Sequence, residues 1–323
     1  MLASFLYGLG ACLIWGTVYV VPILLPESSP LLIALSRYAI FGFFSVLILY
    51  KDRHSLSSMS RSDWILALLL GVVGNLLYYW ILSEAVVRIG ASLAGVFSSL
   101  IPLTSTLTAN LTSSKRVPWK RILTPLAAIF FGLALLNAEA ILHIESALGS
   151  SAIFDFVIGC GFAVASVVIW TWYPLSNARW LTQHRNVPLS LWTAAQGSIL
   201  LPVSALGLGA LSATGSFSFM DLSGEFIFWM FFLGVISSWV GNLLWNRMSQ
   251  GLPRVLIGQM LVFETLSAVM YSCFISGSLP SATSCFGIFM VLAGVSISLR
   301  LFEHETKAPK APSQQKIHSN RAC

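Results

Sequence analysis

VLIGQMLVFETLSAVMYSCFISGSLPSATSCFGIFMVLAGVSISL, residues 255–299, contains a single charged side chain, Glu264. A helix needs about 20 consecutive apolar residues to cross a bilayer, because no water is present there to satisfy its backbone polar groups. This run is long enough for two crossings, and GSLPSAT at 277–283 supplies the turn between them. The rest of the chain reads in the same way. Of 323 residues, 56% are hydrophobic and only 9% charged, and the mean hydropathy is +0.82, a composition outside the soluble globular range. The expected fold is an all-α membrane protein.

Punctuating the apolar runs by charges and turn residues gives ten expected transmembrane helices, at about 3–25, 30–50, 64–83, 90–111, 119–138, 153–176, 189–210, 226–246, 254–276 and 281–301. Their connections alternate in charge. Lys51, Arg53 and Arg61 follow span two; Lys115, Arg116, Lys120 and Arg121 follow span four; Arg179 and Arg185 follow span six; Arg247 and Arg254 follow span eight. The other connections carry Glu27, Glu84, Glu139, Glu145, Asp155, Asp221 and Glu225, with Arg88 the one basic exception. Basic loops stay in the cytoplasm, so both termini are predicted cytoplasmic, and the net charge of +6 follows from topology rather than from nucleic-acid binding. The apolar start without a basic leader predicts a retained first span. The cysteines have no spacing that suggests a metal site or disulfide.

The two halves resemble each other. LLGVVGN (69–75) aligns with FLGVISS (232–238), matching Gly71 to Gly234, and the same offset pairs Gly95 with Gly258 and SLIPLTSTL (99–107) with VFETLSAVM (262–270). LIWGTVY (13–19) aligns with VIWTWYP (168–174), matching Trp15 to Trp170. Five spans per half make the copies enter the membrane from opposite sides: two inverted five-helix repeats, 1–138 and 139–302, followed by a polar tail, 303–323, expected to be disordered. Inverted repeats place a site near the midplane, at their interface.

Ten spans arranged five plus five, Trp15 in LIWGT, Arg37 in LSRYAIFGF and the Asn and aromatic stripes of spans three and eight resemble the drug/metabolite transporter superfamily, EamA type, over about residues 3–301. VFETLSAV is similar to that family's ninth-helix pattern of Glu followed by Pro. Thr265 stands where the Pro would be, so less of a kink is expected. The resemblance implies that Arg37 has a structural role, holding its helix to its neighbours; read from sequence position alone, it sits near enough to the outer surface to snorkel to the headgroups.

An ionisable group in the hydrocarbon region is a functional candidate by default. Glu264 is near the centre of span nine. Four further stripes surround the same expected cavity: Trp15 and Tyr19 on span one; Asn75, Tyr78 and Tyr79 on span three; Ser166, Trp170, Tyr173 and Asn177 on span six; and Ser238, Asn242, Trp245 and Asn246 on span eight. We take Trp15, Tyr19, Asn75, Tyr78, Tyr79, Trp170, Tyr173, Asn242, Trp245 and Glu264 as the candidate substrate-binding set. The competing reading is packing for the rings and helix-to-helix hydrogen bonding for the amides and for Glu264. Glu84 and Arg88, at the outer ends of spans three and four, are expected to form a solvated pair.

No HExxH, DDxxD or Walker A pattern occurs, and His54, His143, His184, His304 and His318 are scattered through connections and the tail, so neither an enzyme nor a cofactor or metal site is expected. The expected function is gradient-driven transport of small amino-containing metabolites such as amino acids or amines, most simply export. Glu264 would pair with an ammonium group, the amides would orient a polar head and the rings would hold apolar or cationic parts. Glu264 is also the candidate proton-coupling residue, since a carboxyl group taken out of water can exchange a proton for a cation. Efflux of lipophilic organic cations and a non-transporting membrane sensor are the alternatives. The expected partners are the substrate, the lipid bilayer and protons as a coupling ion. No nucleic acid is expected and no oligomer is required, in a bacterial inner (cell) membrane.

Overall fold

The computed structural model describes residues 2–113, 116–138, 153–218, 222–277 and 279–307. Lys115, Glu139, His143, Glu145, Asp221 and the tail beyond residue 307 lie outside the described residues.

Every regular element among them is helical. The first span is α1 (Leu2–Gly16), prolonged by a 3-10 turn over Thr17–Tyr19 and the short α2 (Val21–Leu24). α3 (Pro30–Lys51) starts where Ser29 caps the Leu32 N–H and Pro30 fits the first turn. α4 (Arg61–Gly71) starts with a reciprocal capping box between Ser60 and Asp63. It passes through a π-helical stretch, Val72–Leu77, into α5 (Tyr78–Ser98). Gly90 breaks α5 at φ 80°, a left-handed conformation that glycine adopts without a Cβ penalty. α6 (Ile101–Leu111), α7 (Trp119–Leu136), α8 (Ile153–Gln183) and α9 (Leu189–Ala213) follow. α10 (Gly224–Phe231) continues through a second π-helical stretch, Phe232–Val240, into α11 (Gly241–Gly251). α12 (Arg254–Met260) and α13 (Val262–Ser276) meet at a turn on Leu261, and α14 (Ala282–Lys307) is the last element.

Among the described residues, nine helices are long and apolar enough to cross a membrane. The stretch expected as a tenth, 90–111, is split by a turn at Ser99–Leu100, so it consists of the end of α5 and the short α6. The third span is longer than expected and carries Glu84 and Arg88 together. They pair one helical turn apart on α5 rather than across two spans. Span nine is interrupted at Leu261, and α13 runs through Thr265 without a break. α14 extends to Lys307, so residues 303–307, assigned to the disordered tail from the sequence, are helical.

Large apolar side chains such as Leu47, Phe131, Val164 and Phe289 face outward, as lipid contact allows. Without a hydrophobic drive between helices in lipid, close approach relies on small residues. At the α7–α14 contact, a Cβ on Gly132 would lie 2.7 Å from the Gly287 carbonyl oxygen, and one on Gly294 would lie 2.7 Å from that of Pro125. α3 packs on α9, α5 on α8, α6 on α12, and α1 on both α11 and α13.

Candidate functional site

Six helical segments converge on one central cavity. α1 and its 3-10 turn supply Trp15 and Val18; α3 supplies Arg37 and Tyr38; the first π-helical stretch and the start of α5 supply Asn75, Tyr78 and Tyr79. α8 adds Trp170, α11 adds Asn242 and α13 adds Glu264. All ten residues are buried, and the cavity has a volume of about 20 Å³, room for about one water molecule.

The rings form a continuous wall. Trp170 stacks on Tyr78, with centroids 4.2 Å apart, and on Tyr173 at 5.0 Å. Trp15 lies edge-on to Trp170 at 5.7 Å and tilted against Trp245 at 5.0 Å.

Both π-helical stretches supply polar groups to the site, a frequent use of this irregularity. In the first, Asn75 donates to the carbonyl of Leu70 at 2.9 Å. In the second, the Ser237 carbonyl accepts the Trp15 indole N–H at 2.9 Å, while Arg37 donates from Nε to Ser238 Oγ at 2.9 Å and from Nη2 to Ser237 Oγ at 3.3 Å. The guanidinium also lies 5.0 Å from the Tyr38 ring centre and 4.7 Å from that of Tyr79. Arg37 is thus tied to span eight and only 5% exposed, which rules out the snorkelling reading. Glu264, 6% exposed, lies one turn beyond the helix break at Leu261, with Tyr19 and Trp170 beside its carboxylate. Arg37 and Glu264 line the same cavity but make no ion pair with each other. The hydroxyls of Tyr78 and Tyr79 and the indole N–H groups of Trp170 and Trp245 are buried and make no hydrogen bond of normal length, although Tyr78 lies beside Tyr19, Tyr79 beside Arg37 and the Trp170 indole beside the Glu264 carboxylate.

A second polar layer leads from this cavity towards the end of the molecule that carries Arg61 and Arg185. The Tyr173 hydroxyl donates to Asn242 Oδ1 at 3.1 Å, with Gln196 Oε1 at 3.3 Å as the other acceptor. Asn177 accepts from Trp192 Nε1 at 2.7 Å and from Gln196 Nε2 at 3.3 Å, and donates to Asn246 at 2.7 Å; Asn246 in turn donates to Thr193 at 2.9 Å. Beyond them Trp180 stacks between Trp192 and His184, and its indole N–H reaches Asp63.

The structure therefore brings together Trp15, Asn75, Tyr78, Tyr79, Trp170, Asn242 and Glu264 on one cavity surface. Tyr173 and Trp245 form a layer behind it, and Tyr19 flanks Glu264. Sequence reasoning missed Val18 and Tyr38 and gave Arg37 no place on the cavity wall. It also missed Trp192, Thr193 and Gln196, although LWTAAQ spaces these polar and aromatic groups at helical intervals on one side of an otherwise apolar span.

Buried polar side chains, broken helices and a central cavity within a bundle of membrane-crossing helices define a membrane transporter type of architecture. The model of the family described as EamA-like transporter matches residues 2–138. The chain is 34% identical over 310 residues to the inner membrane protein YtfF of Escherichia coli (strain K12), covering 93% of this chain and 96% of that protein. A solved crystal structure at 19% identity superposes with a TM-score of 0.70 over 92% of this chain and 98% of its own, and so shares the fold. The chain belongs to the EamA-like transporter family and is a multi-pass inner membrane protein.

Proposed function

We propose that the protein is a gradient-driven exporter of small amino-containing metabolites, such as amino acids or amines, working by alternating access. The observation that carries this reading is the seat of Glu264: a buried carboxylate one turn after a helix break, on the wall of a cavity made mostly of rings and amides together with Arg37 and Val18. Such a group can take a substrate ammonium or a proton in turn. The candidate substrate-binding residues are those derived from the sequence, with Glu264 also the proton carrier.

The cavity of about 20 Å³ is far below the roughly 300 Å³ or more typical of small-molecule pockets, so transport requires the helices to part around it. Two inverted five-span repeats, 1–138 and 139–302, would supply that motion. In support, the offset that aligns the halves brings Val72–Leu77 within the second π-helical stretch and Ser98 onto the break at Leu261. Corresponding spans also pack on each other, α3 on α9, α6 on α12 and α7 on α14, which is consistent with an axis passing between them. The distribution of Lys and Arg supports cytoplasmic termini.

The test is reconstitution into liposomes with a panel of labelled amino acids and amines, comparing wild type with Glu264→Gln. Flux of at least one compound that depends on Glu264 is expected. Equal flux in both proteins for every transported compound would remove Glu264 from the mechanism. The stacked rings of Tyr78, Trp170 and Tyr173 favour a second reading, efflux of lipophilic cations, which predicts mutual competition among chemically unrelated cations.

A further inference from the structure

The central cavity holds two opposite charges, and only one of them has a partner in the reading above. Arg37 uses Nε on Ser238 and Nη2 on Ser237, while Nη1 donates to no described residue. Its guanidinium lines the cavity together with the Tyr79 ring, whose buried hydroxyl makes no hydrogen bond of normal length. Arg37 Nη1 and the Tyr79 hydroxyl beside it are thus the donors on this side of the cavity that can hold an anionic acceptor.

Charge balance points the same way. With Arg37 protonated and Glu264 ionised the site is neutral. A bound monocation would leave one net positive charge there, the same net charge as the proton-loaded site, so it gains no charge balance from Arg37. A molecule carrying both signs keeps the site neutral and satisfies both poles.

We propose that Arg37 is a specificity-determining contact: the transported molecule carries an anionic oxygen group, held by Arg37 and Tyr79, as well as the amine held by Glu264, so zwitterions are preferred over singly charged relatives. This rests on the reading of the cavity as the transport site. It separates the two functional readings, because an organic cation has no anionic group for Arg37 to hold.

The test uses matched probes: free neutral amino acids of three side-chain sizes, their methyl esters, which keep only the cation, and their N-acetyl derivatives, which keep only the anion. Binding is read as thermal stabilisation of the purified full chain, and transport as inhibition of counterflow in liposomes. For the amino acid that binds best, wild type is expected to prefer the free form over both derivatives by roughly tenfold or more. Arg37→Gln is expected to bring the free amino acid and its ester to within about twofold, and Glu264→Gln to do the same for the N-acetyl form. A purely structural arginine would lower all three probe classes in parallel, and that result overturns the proposal. If Arg37→Gln does not fold, the wild-type ratio of free form to ester decides by itself, with equal affinities counting against the proposal. Wild type that binds none of the probes would overturn the transport reading and this inference with it. Binding of esters alone would retain the cavity as a transport site and reject the anion pole.

Discussion

Trp180 donates its indole N–H to Asp63 Oδ1 at 2.6 Å, tying the first turn of α4 to the end of α8. The same indole stacks on Trp192 of α9 with ring centres 3.5 Å apart, and on His184 at 4.4 Å. One hydrogen bond and two ring faces thus join three spans at the end of the molecule where the amide layer of Asn177, Asn246 and Gln196 terminates. If the helices part around the central cavity on this side, this junction has to break.

Trp180→Phe keeps a stacking ring and removes the donor to a buried carboxylate. The expected loss is about 1–3 kcal/mol, seen as a lower thermal midpoint of the purified protein. An unchanged midpoint would mean that Asp63 finds equal support in Ser60 and His184, whose Nε2 lies 3.5 Å away.

Glu264→Gln preserves the shape of the cavity wall and removes the exchangeable proton. Substrate flux in the variant should lose its stimulation by an imposed pH gradient, and a protonophore should have no further effect on it. Continued stimulation would assign proton coupling to a different group.

Trp170 is stacked on both sides, by Tyr78 and by Tyr173. Replacing it with Phe keeps an aromatic face, whereas Ala opens the wall. Apparent affinity for the transported compound is expected to fall about two- to tenfold more in Trp170→Ala than in Trp170→Phe, the weight of one stacking contact. Equal values in the two variants would argue for packing alone.

Gly132 and Gly287 hold α7 and α14 in backbone contact. Gly132→Ala should cost about 1–3 kcal/mol, because the added carbon meets a carbonyl oxygen rather than the flexible end of a side chain. Gly161→Ala on α8, where nothing lies within 4 Å, is the neutral control for a thermal-stability comparison.

Membrane class, helical content and most of the candidate cavity were legible in the residues. Trp15, Asn75, Tyr78, Trp170, Asn242 and Glu264 are polar or aromatic groups in spans that otherwise have no need of them, and the cost of burying such groups in lipid is visible one helix at a time. The break that divides 90–111 was missed although Pro102, in the first turn of α6, marks it: a proline lacks the N–H that would continue the preceding helix and crowds its last turn. The place of Arg37 was not legible. Its position along span two suggested reach to the surface, and only the packing of α3 against the second π-helical stretch turns it inward onto Ser237 and Ser238.

By itself, the sequence determined that this chain is a helical membrane protein, where its apolar runs lie, and that Glu264 stands alone in one of them. These follow from hydropathy and length, which are local properties of consecutive residues. The tertiary structure alone decided that Glu264 and Arg37, from opposite halves of the chain, share one nearly filled cavity without pairing. That relation depends on how α3 packs against the second π-helical stretch and α13 against α1, a consequence of side-chain shape and backbone approach between residues far apart in sequence.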